Sequence, residues 1–247
     1  MARTRFLEAA MASIVPATIR RSIAEWISGV PRVRWGKWRR LTPVSRIFGL
    51  DRGRPIDRYY IEAFLQEHAS DIRGTVLEIG DREYTKRFGG AAVTRSDVLH
   101  AVPGNPDATI VGDLATGNGI VNDTFDCIIL TQTLPFIYEI QQAVSHCVRG
   151  LKPGGVVLAT LPGISQISRY DMDRWGDYWR FTDASARRLF EGVFGTGNVQ
   201  VESHGNVLAA CAFLQGLATE ELKPSELAYH DPDYQVIICV RAQKPCR

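Results

Sequence analysis

Three acids and a glycine sit at spacings that suit a bound nucleoside. Gly80 closes the run Val76-Leu77-Glu78-Ile79-Gly80, Asp97 follows in Ser96-Asp97, and Asp113 stands in Gly112-Asp113-Leu114. Gly80 has no Cβ, so a ligand can approach its backbone closely. An acid some twenty residues beyond such a glycine, as Asp97 is, typically accepts from the two hydroxyls of a ribose. Asp113 can accept from the exocyclic amine of an adenine, with Leu114 covering the ring. Thr131, Gln132 and Thr133 would line the reacting end of the ligand. Each acid also has a plain structural reading: Asp97 as a turn acid, Asp113 as a helix cap.

A second concentration of chemistry lies between Tyr170 and Arg180, where Asp171, Asp173, Trp175, Asp177, Tyr178 and Trp179 alternate with bases. Aromatics beside carboxylates suit sugar rings, which present apolar faces and hydroxyls together. The same residues could instead form a capping loop whose tryptophans seal the core.

These residues must be positioned by elements that the pattern makes visible. Thr75–Ile79 reads as a buried strand, Ala92–Thr94 as a short strand ending at Asp97, and Ala108–Val111 as a third ending at Asp113. Phe125–Leu130 and Val156–Leu161 are apolar strands, with a helix over Glu139–Gly150 and the turn Lys152-Pro153-Gly154-Gly155 between them. Asp183–Phe194 is helical behind Thr182 or Asp183, and two late strands fall at Asn198–Ser203 and Tyr234–Arg241. Asp57 looks like the N-cap of a helix over Arg58–His68. Alternation of strand and helix implies a mostly parallel sheet covered on both faces, with ligands at the carboxyl ends of its strands.

The chain is uneven in charge. Residues 1–54 hold 12 Lys/Arg and 3 Asp/Glu, whereas residues 55–247 hold 17 and 24. This divides the chain into a basic helical N-terminal extension, 1–54, and a mildly acidic domain, 55–247. Residues 5–28 read as two short amphipathic helices broken at Pro16. Val33–Arg40 interleaves Trp35 and Trp38 with bases, which fits a membrane surface or partner, a nucleic acid, or a solvated edge packed on the domain.

Five scattered cysteines form no C-x-x-C pair and read as reduced thiols of a cytoplasmic protein. Glu8 interrupts the only early apolar stretch, which argues against a secretory signal; an organelle transit peptide ranks below a cytoplasmic location, with a peripheral place at a membrane as the alternative. The five histidines show no ligand spacing, so no metal is expected. Neither G-x-G-x-x-G nor a Walker sequence is present, which sets ATP and NAD aside.

Taken in order, VLEIG (76–80), Ser96-Asp97, Gly112-Asp113-Leu114, Phe125–Leu130 and Leu151–Gly155 resemble the motifs of the class I S-adenosylmethionine-dependent methyltransferases. The resemblance covers roughly Asp57 to Lys244. Arg54–Tyr60 and Asp177–Thr182 look like small bacterial methyltransferases, of the type 11 kind, tied to sugar or natural-product pathways. It implies a Rossmann-like, doubly wound α/β sheet, mostly parallel with a late antiparallel strand. It also implies S-adenosylmethionine as cofactor, held by Tyr59, Glu78, Gly80, Asp97, Asp113, Leu114 and Thr131. Glu78 would organise the first loop, and Tyr59 or Tyr60 would flank the methionine end.

The acceptor would be a small molecule, a saccharide or a biosynthetic intermediate, and nucleic acid is disfavoured by the acidic balance of residues 55–247. Methyl transfer is an in-line displacement that mainly needs alignment. If a general base is used, Asp171 or Asp173 is the candidate. Relatives often carry a His after the fourth strand; here that segment is Thr131-Gln132-Thr133-Leu134-Pro135.

One departure bears on all of this. The family's first loop usually reads Gly-x-Gly-x-Gly, but this chain continues Gly80-Asp81-Arg82-Glu83-Tyr84. Either the loop swings wide and side chains replace lost backbone contacts, or the domain is a non-catalytic binding or assembly module that docks through residues 1–40. Retention of Glu78, Asp97 and Asp113 favours a working site.

Overall fold

The computed structural model describes Pro16, Ile19 and residues 36–246. The chain divides into two units, Met1–Thr42 and Pro43–Arg247. In the first, the described residues include a single 3-10 turn, Gly36–Trp38. The two amphipathic helices expected within 5–28 lie almost wholly outside the described residues.

The second unit is built on a seven-stranded sheet in the order β3-β2-β1-β4-β5-β7-β6. The strands are β1 (Gly74–Ile79), β2 (Val93–His100), β3 (Ile110–Val111), β4 (Phe125–Thr131), β5 (Leu151–Pro162), β6 (Val199–His204) and β7 (Ile237–Gln243). Neighbours from β3 through β5 are parallel, and β7 runs antiparallel to both β5 and β6. This is the Rossmann-like arrangement with its late antiparallel strand.

Central strands buried on both faces read as continuous apolar runs, and β4 shows how the period of two divides them. Ile128 and Leu130 join Leu77, Val157 and Ala159 in one core. Cys127 and Ile129 join Val76, Val156 and Leu158 in the other. The main helices are α1 (Ile56–Glu67), α2 (Ile140–Gly150), α3 (Arg169–Met172), α4 (Asp183–Phe194), α5 (Val207–Leu214) and α6 (Pro224–Ala228). Phe190 and Phe194 of α4 close the first core, while Ile61, Phe64 and Leu65 of α1 and Phe213 of α5 close the second. Each such side chain contributes roughly 1.5–3 kcal/mol on burial.

Several local expectations shift. Helix α1 starts at Ile56 behind Pro55; Asp57 lies inside its first turn and accepts from the N–H of Arg58, so it is not the N-cap. Helix α4 spans the expected residues, with Thr182 as cap and a reciprocal bond between Thr182 and Ser185. The Lys152–Gly155 turn bulges out opposite Asp126 within the β4–β5 pairing, and Lys152 Nζ ties it back to Asp126 Oδ2 at 2.6 Å.

Residues 43–54, which the charge pattern groups with the extension, are part of the compact unit. The N–H groups of Val44 and Ser45 both donate to Gln215 O, and Phe48 packs on Phe213 with ring centroids 5.8 Å apart. Charge bias located a change in surface character; the apolar anchor Phe48 places the fold boundary nearer Pro43.

Candidate functional site

The carboxyl ends of β1, β2, β4 and β5 open on one edge of the sheet, and the loop after β1 forms its lip. Gly80 has φ +90°, a value that L side chains rarely adopt, and a Cβ built there would meet open space. Glu78, buried one residue inside the strand end, turns the chain that follows. Its Oε1 accepts from the N–H of Tyr84 at 3.1 Å and its Oε2 from the N–H of Thr85 at 2.8 Å. Burial pushes the Glu78 carboxyl above the usual carboxylate range, and the bonds from Thr85 and Tyr84 pull against that shift.

The lip is held by side chains where glycines are lacking. Asn105 Nδ2 donates to Gly80 O at 2.6 Å, and Arg82 Nη2 donates to Asp107 O at 2.6 Å. Tyr84 turns inward: it is buried, and Arg58 of α1 donates from Nη1 to its hydroxyl at 2.5 Å. The helix that usually follows a first βα turn is reduced to a π-type turn, Thr85–Gly89, and a 3-10 turn, Gly90–Ala92. Gly89-Gly90 stands at the junction of the two turns, with Gly90 at φ +50°.

Asp97 is not at a strand end. Strand β2 runs on to His100, and Asp97 pairs with Leu77 inside the sheet. Its buried carboxylate is met by Arg95 Nε at 2.8 Å and by the hydroxyl of Thr109, which donates to Oδ1 at 3.0 Å. The residue at the carboxyl end of β2 is His100, level with Val111 of β3. The sequence reading stopped β2 early because Arg95, Ser96 and Asp97 interrupt the apolar run, yet Val98 and Leu99 resume it in the core.

Asp113 does follow β3, at the crevice edge. Its Oδ1 accepts from the N–H of Ala115 at 2.8 Å, so the side chain also shapes its own turn. Leu114 belongs to the hydrophobic core, and His146 Nδ1 is bonded to its carbonyl at 2.7 Å. A ring-covering role for Leu114 would need that side chain to leave the core.

At the end of β4, Thr131 pairs with Thr160 of β5. Gln132 has φ +48°, an uncommon value for a residue with a side chain. It is held by its N–H to Thr160 O at 2.9 Å and by Nε2 to Thr160 Oγ1 at 3.3 Å. Tyr59 of α1 is half-buried, edge-on to Tyr60 with centroids 5.2 Å apart.

The segment after β5 crosses this edge. Trp175 stands edge-on to His100 with ring centroids 6.1 Å apart, which brings the segment across to β2. Tyr178 and Trp179 both meet Tyr138, at 5.4 and 5.7 Å, and Trp179 Nε1 donates to Ile137 O at 3.1 Å. Asp171 accepts from Ser168 Oγ at 2.5 Å, and Asp173 is exposed and paired with Arg169 at 3.2 Å. Asp177 is held by Arg180 and by the N–H of Ser168. His100, Asn105, Arg58 and Tyr138 carry no site signal in the sequence beyond the aromatic character of Tyr138, three residues past Pro135.

Residues 83–159 match the family model described as a methyltransferase domain. Over that stretch, under a third of the chain, the sequence is similar to methyltransferase domains. That match begins just beyond Gly80 and runs through β2, β4 and most of β5. Among solved structures, the domain is similar to a SAM-dependent methyltransferase from Archaeoglobus fulgidus, with TM-score 0.51 and 12% identity over 76% of this chain and 94% of that one. It is similar to the N-methyltransferase NodS from Bradyrhizobium japonicum in complex with S-adenosyl-L-homocysteine, with TM-score 0.50 and 14% identity over 82% and 95%. A third is phosphoethanolamine N-methyltransferase 2 of Haemonchus contortus in complex with S-adenosyl-L-methionine, with TM-score 0.52 and 15% identity over 90% and 56%. At these identities the likeness is one of fold. No curated protein sequence matches the chain.

Among the described residues, no group of His, Cys, Asp or Glu could hold a metal ion, and no helix is long and apolar enough to cross a membrane. Cys127, Cys147 and Cys239 are buried, and burial pushes the Cys147 thiol up to about 12.

Proposed function

We propose that this domain binds S-adenosylmethionine at the carboxyl edge of β1 and β4 and transfers its methyl group to a small-molecule acceptor. The observation that carries the reading is the Glu78 clasp. A buried carboxylate spends both oxygens on the backbone of Tyr84 and Thr85, while the space beside Gly80 Cα stays open. An apolar residue at 78 would leave those two N–H groups without an acceptor, so the carboxylate fixes the loop that borders the open space.

The residues present fit the cofactor in part. Gly80 and the Glu78-held loop would take the methionine end, with Tyr59 beside it on α1. Asp113 would serve the adenine side, Thr131 the methyl side. The ribose level falls to His100, because Asp97 is ion-paired inside the sheet. When bound, the sulfonium supplies an electrophilic methyl group, and the protein's task is alignment. Tyr138, Tyr178 and Trp179 form an aromatic wall that suits a saccharide or similar biosynthetic intermediate as acceptor. Asp171 and Asp173 are the candidate bases of that segment; Asp171, half-buried and bonded to Ser168, is the better placed.

A second reading is a methyltransferase-like binding or assembly module. It is favoured by the buried Tyr84 side chain and by the shortened helix after β1. Calorimetric titration with S-adenosylmethionine and S-adenosylhomocysteine separates the two: micromolar binding of either supports the first, and no binding in a folded sample supports the second.

A further inference from the structure

Helix α5 is Val207-Leu208-Ala209-Ala210-Cys211-Ala212-Phe213-Leu214, with no charged or polar residue among them. A helix apolar on every side ordinarily belongs wholly in a core. Ala209, Ala210, Ala212 and Phe213 are buried, but Val207, Leu208, Cys211 and Leu214 face outward, Val207 with 50% of its surface exposed. Positions 207, 211 and 214 are spaced i, i+4, i+7, so they form one stripe.

The stripe does not end with the helix. Gln215, next to Leu214, accepts the N–H groups of Val44 and Ser45, which seats the 44–50 turn beside it. That turn packs the half-buried Phe48 on Phe213 and leaves Val44, Ile47 and Leu50 outward, Leu50 at 63%. Single exposed apolar residues need no explanation, whereas a contiguous set marks an interaction surface. Arg46 is exposed within the set, and no described acid pairs with it. The sequence leading into this turn adds Arg32, Arg34, Lys37, Arg39 and Arg40 with no acid between them. An anionic surface is therefore the complementary partner.

The face also has a direction. Strand β6 is antiparallel to β7, which is antiparallel to β5, so β6 delivers α5 at the carboxyl edge of the sheet. Gln166, on the segment that follows β5, donates from Nε2 to Arg46 O at 3.0 Å.

We propose that the outward stripe of α5 and the 44–50 turn dock on an anionic bilayer surface. The aliphatic side chains would enter the boundary between headgroups and acyl chains, and Arg46 would meet the headgroups. This proposal stands apart from the methyl-transfer reading, since it needs no cofactor.

The test is sedimentation of the full chain with vesicles of phosphatidylcholine alone and of phosphatidylcholine mixed with phosphatidylglycerol. The wild type should partition to the mixed vesicles at least about tenfold better than to the neutral ones. Leu50→Asp and Leu214→Asp change exposed positions, so thermal unfolding should be near that of the wild type, and each should lower partitioning by about tenfold. Variants that partition like the wild type would overturn the proposal, because the basic segment would then bind without the face. Absence of vesicle binding would overturn it too. If light scattering then showed a dimer that Leu214→Asp splits, the face would be an interface between two copies.

Discussion

Glu78 and Asp97 stand on neighbouring strands, and both are buried, with 2% and 4% of their surface exposed. Their surroundings differ completely. The strand period of two puts Glu78 on the face of Val76, where the chain after Gly80 turns back and offers two N–H groups. Asp97 is level with Leu77 on the other face, where Thr109 donates to its Oδ1 and Arg95 Nε lies 2.8 Å from its Oδ2, which takes no hydrogen bond. One acid shapes a loop at the carboxyl edge; the other closes a local ion pair. In a parallel sheet, the role of an acid follows from its height and face, and spacing from a glycine specifies neither.

The comparison can be broken most forcefully at Glu78. Glu78→Ala leaves two buried N–H groups without an acceptor, and each unsatisfied donor costs roughly 1–3 kcal/mol, so urea unfolding should show a loss of about 3 kcal/mol. A loss well under about 1 kcal/mol would mean that water or a rearranged loop replaces the clasp. Gly80→Ala is next in size. It puts a Cβ into the open edge at φ +90° and should weaken S-adenosylhomocysteine about tenfold by calorimetry.

The two strands are then set against each other directly. His100→Ala should weaken S-adenosylhomocysteine by about fivefold, the loss expected for one ligand hydrogen bond. Asp97→Ala should leave that affinity within about twofold while lowering stability by about 1–2 kcal/mol. The reverse pattern would return the ribose to Asp97.

The smallest effect is on pH. Burial raises the Glu78 pKa, so the folded state holds its proton more tightly than the unfolded chain does. Its contribution to stability is fully present below the unfolded value of about 4.3 and is lost as pH rises through the raised folded value. Comparing wild type with Glu78→Gln by thermal unfolding across this range should show that slope in the wild type only.

Much of the fold could be read from the chain. Apolar runs such as Phe125–Leu130 and the Thr182 cap of α4 are local signals, and both lie where the pattern puts them. Helix α5 gave no periodic signal because it is apolar on all sides, and β2 was cut short by polar residues that one ion pair makes tolerable inside a sheet. In the candidate site, the turn at Gly80 and the loop held by Glu78 were legible because both act within a few residues of themselves. His100, Asn105 and Trp175 act across long stretches of sequence, and neither period nor spacing encodes such meetings.

The central claim is that the side-chain-held lip after Gly80 still admits the cofactor. Titration of the full chain with S-adenosylhomocysteine in a calorimeter tests it most directly. Saturable micromolar binding, weakened by Gly80→Ala and unaffected by Asp97→Ala, is the result this account predicts. A folded protein that takes up neither S-adenosylhomocysteine nor S-adenosylmethionine would contradict it.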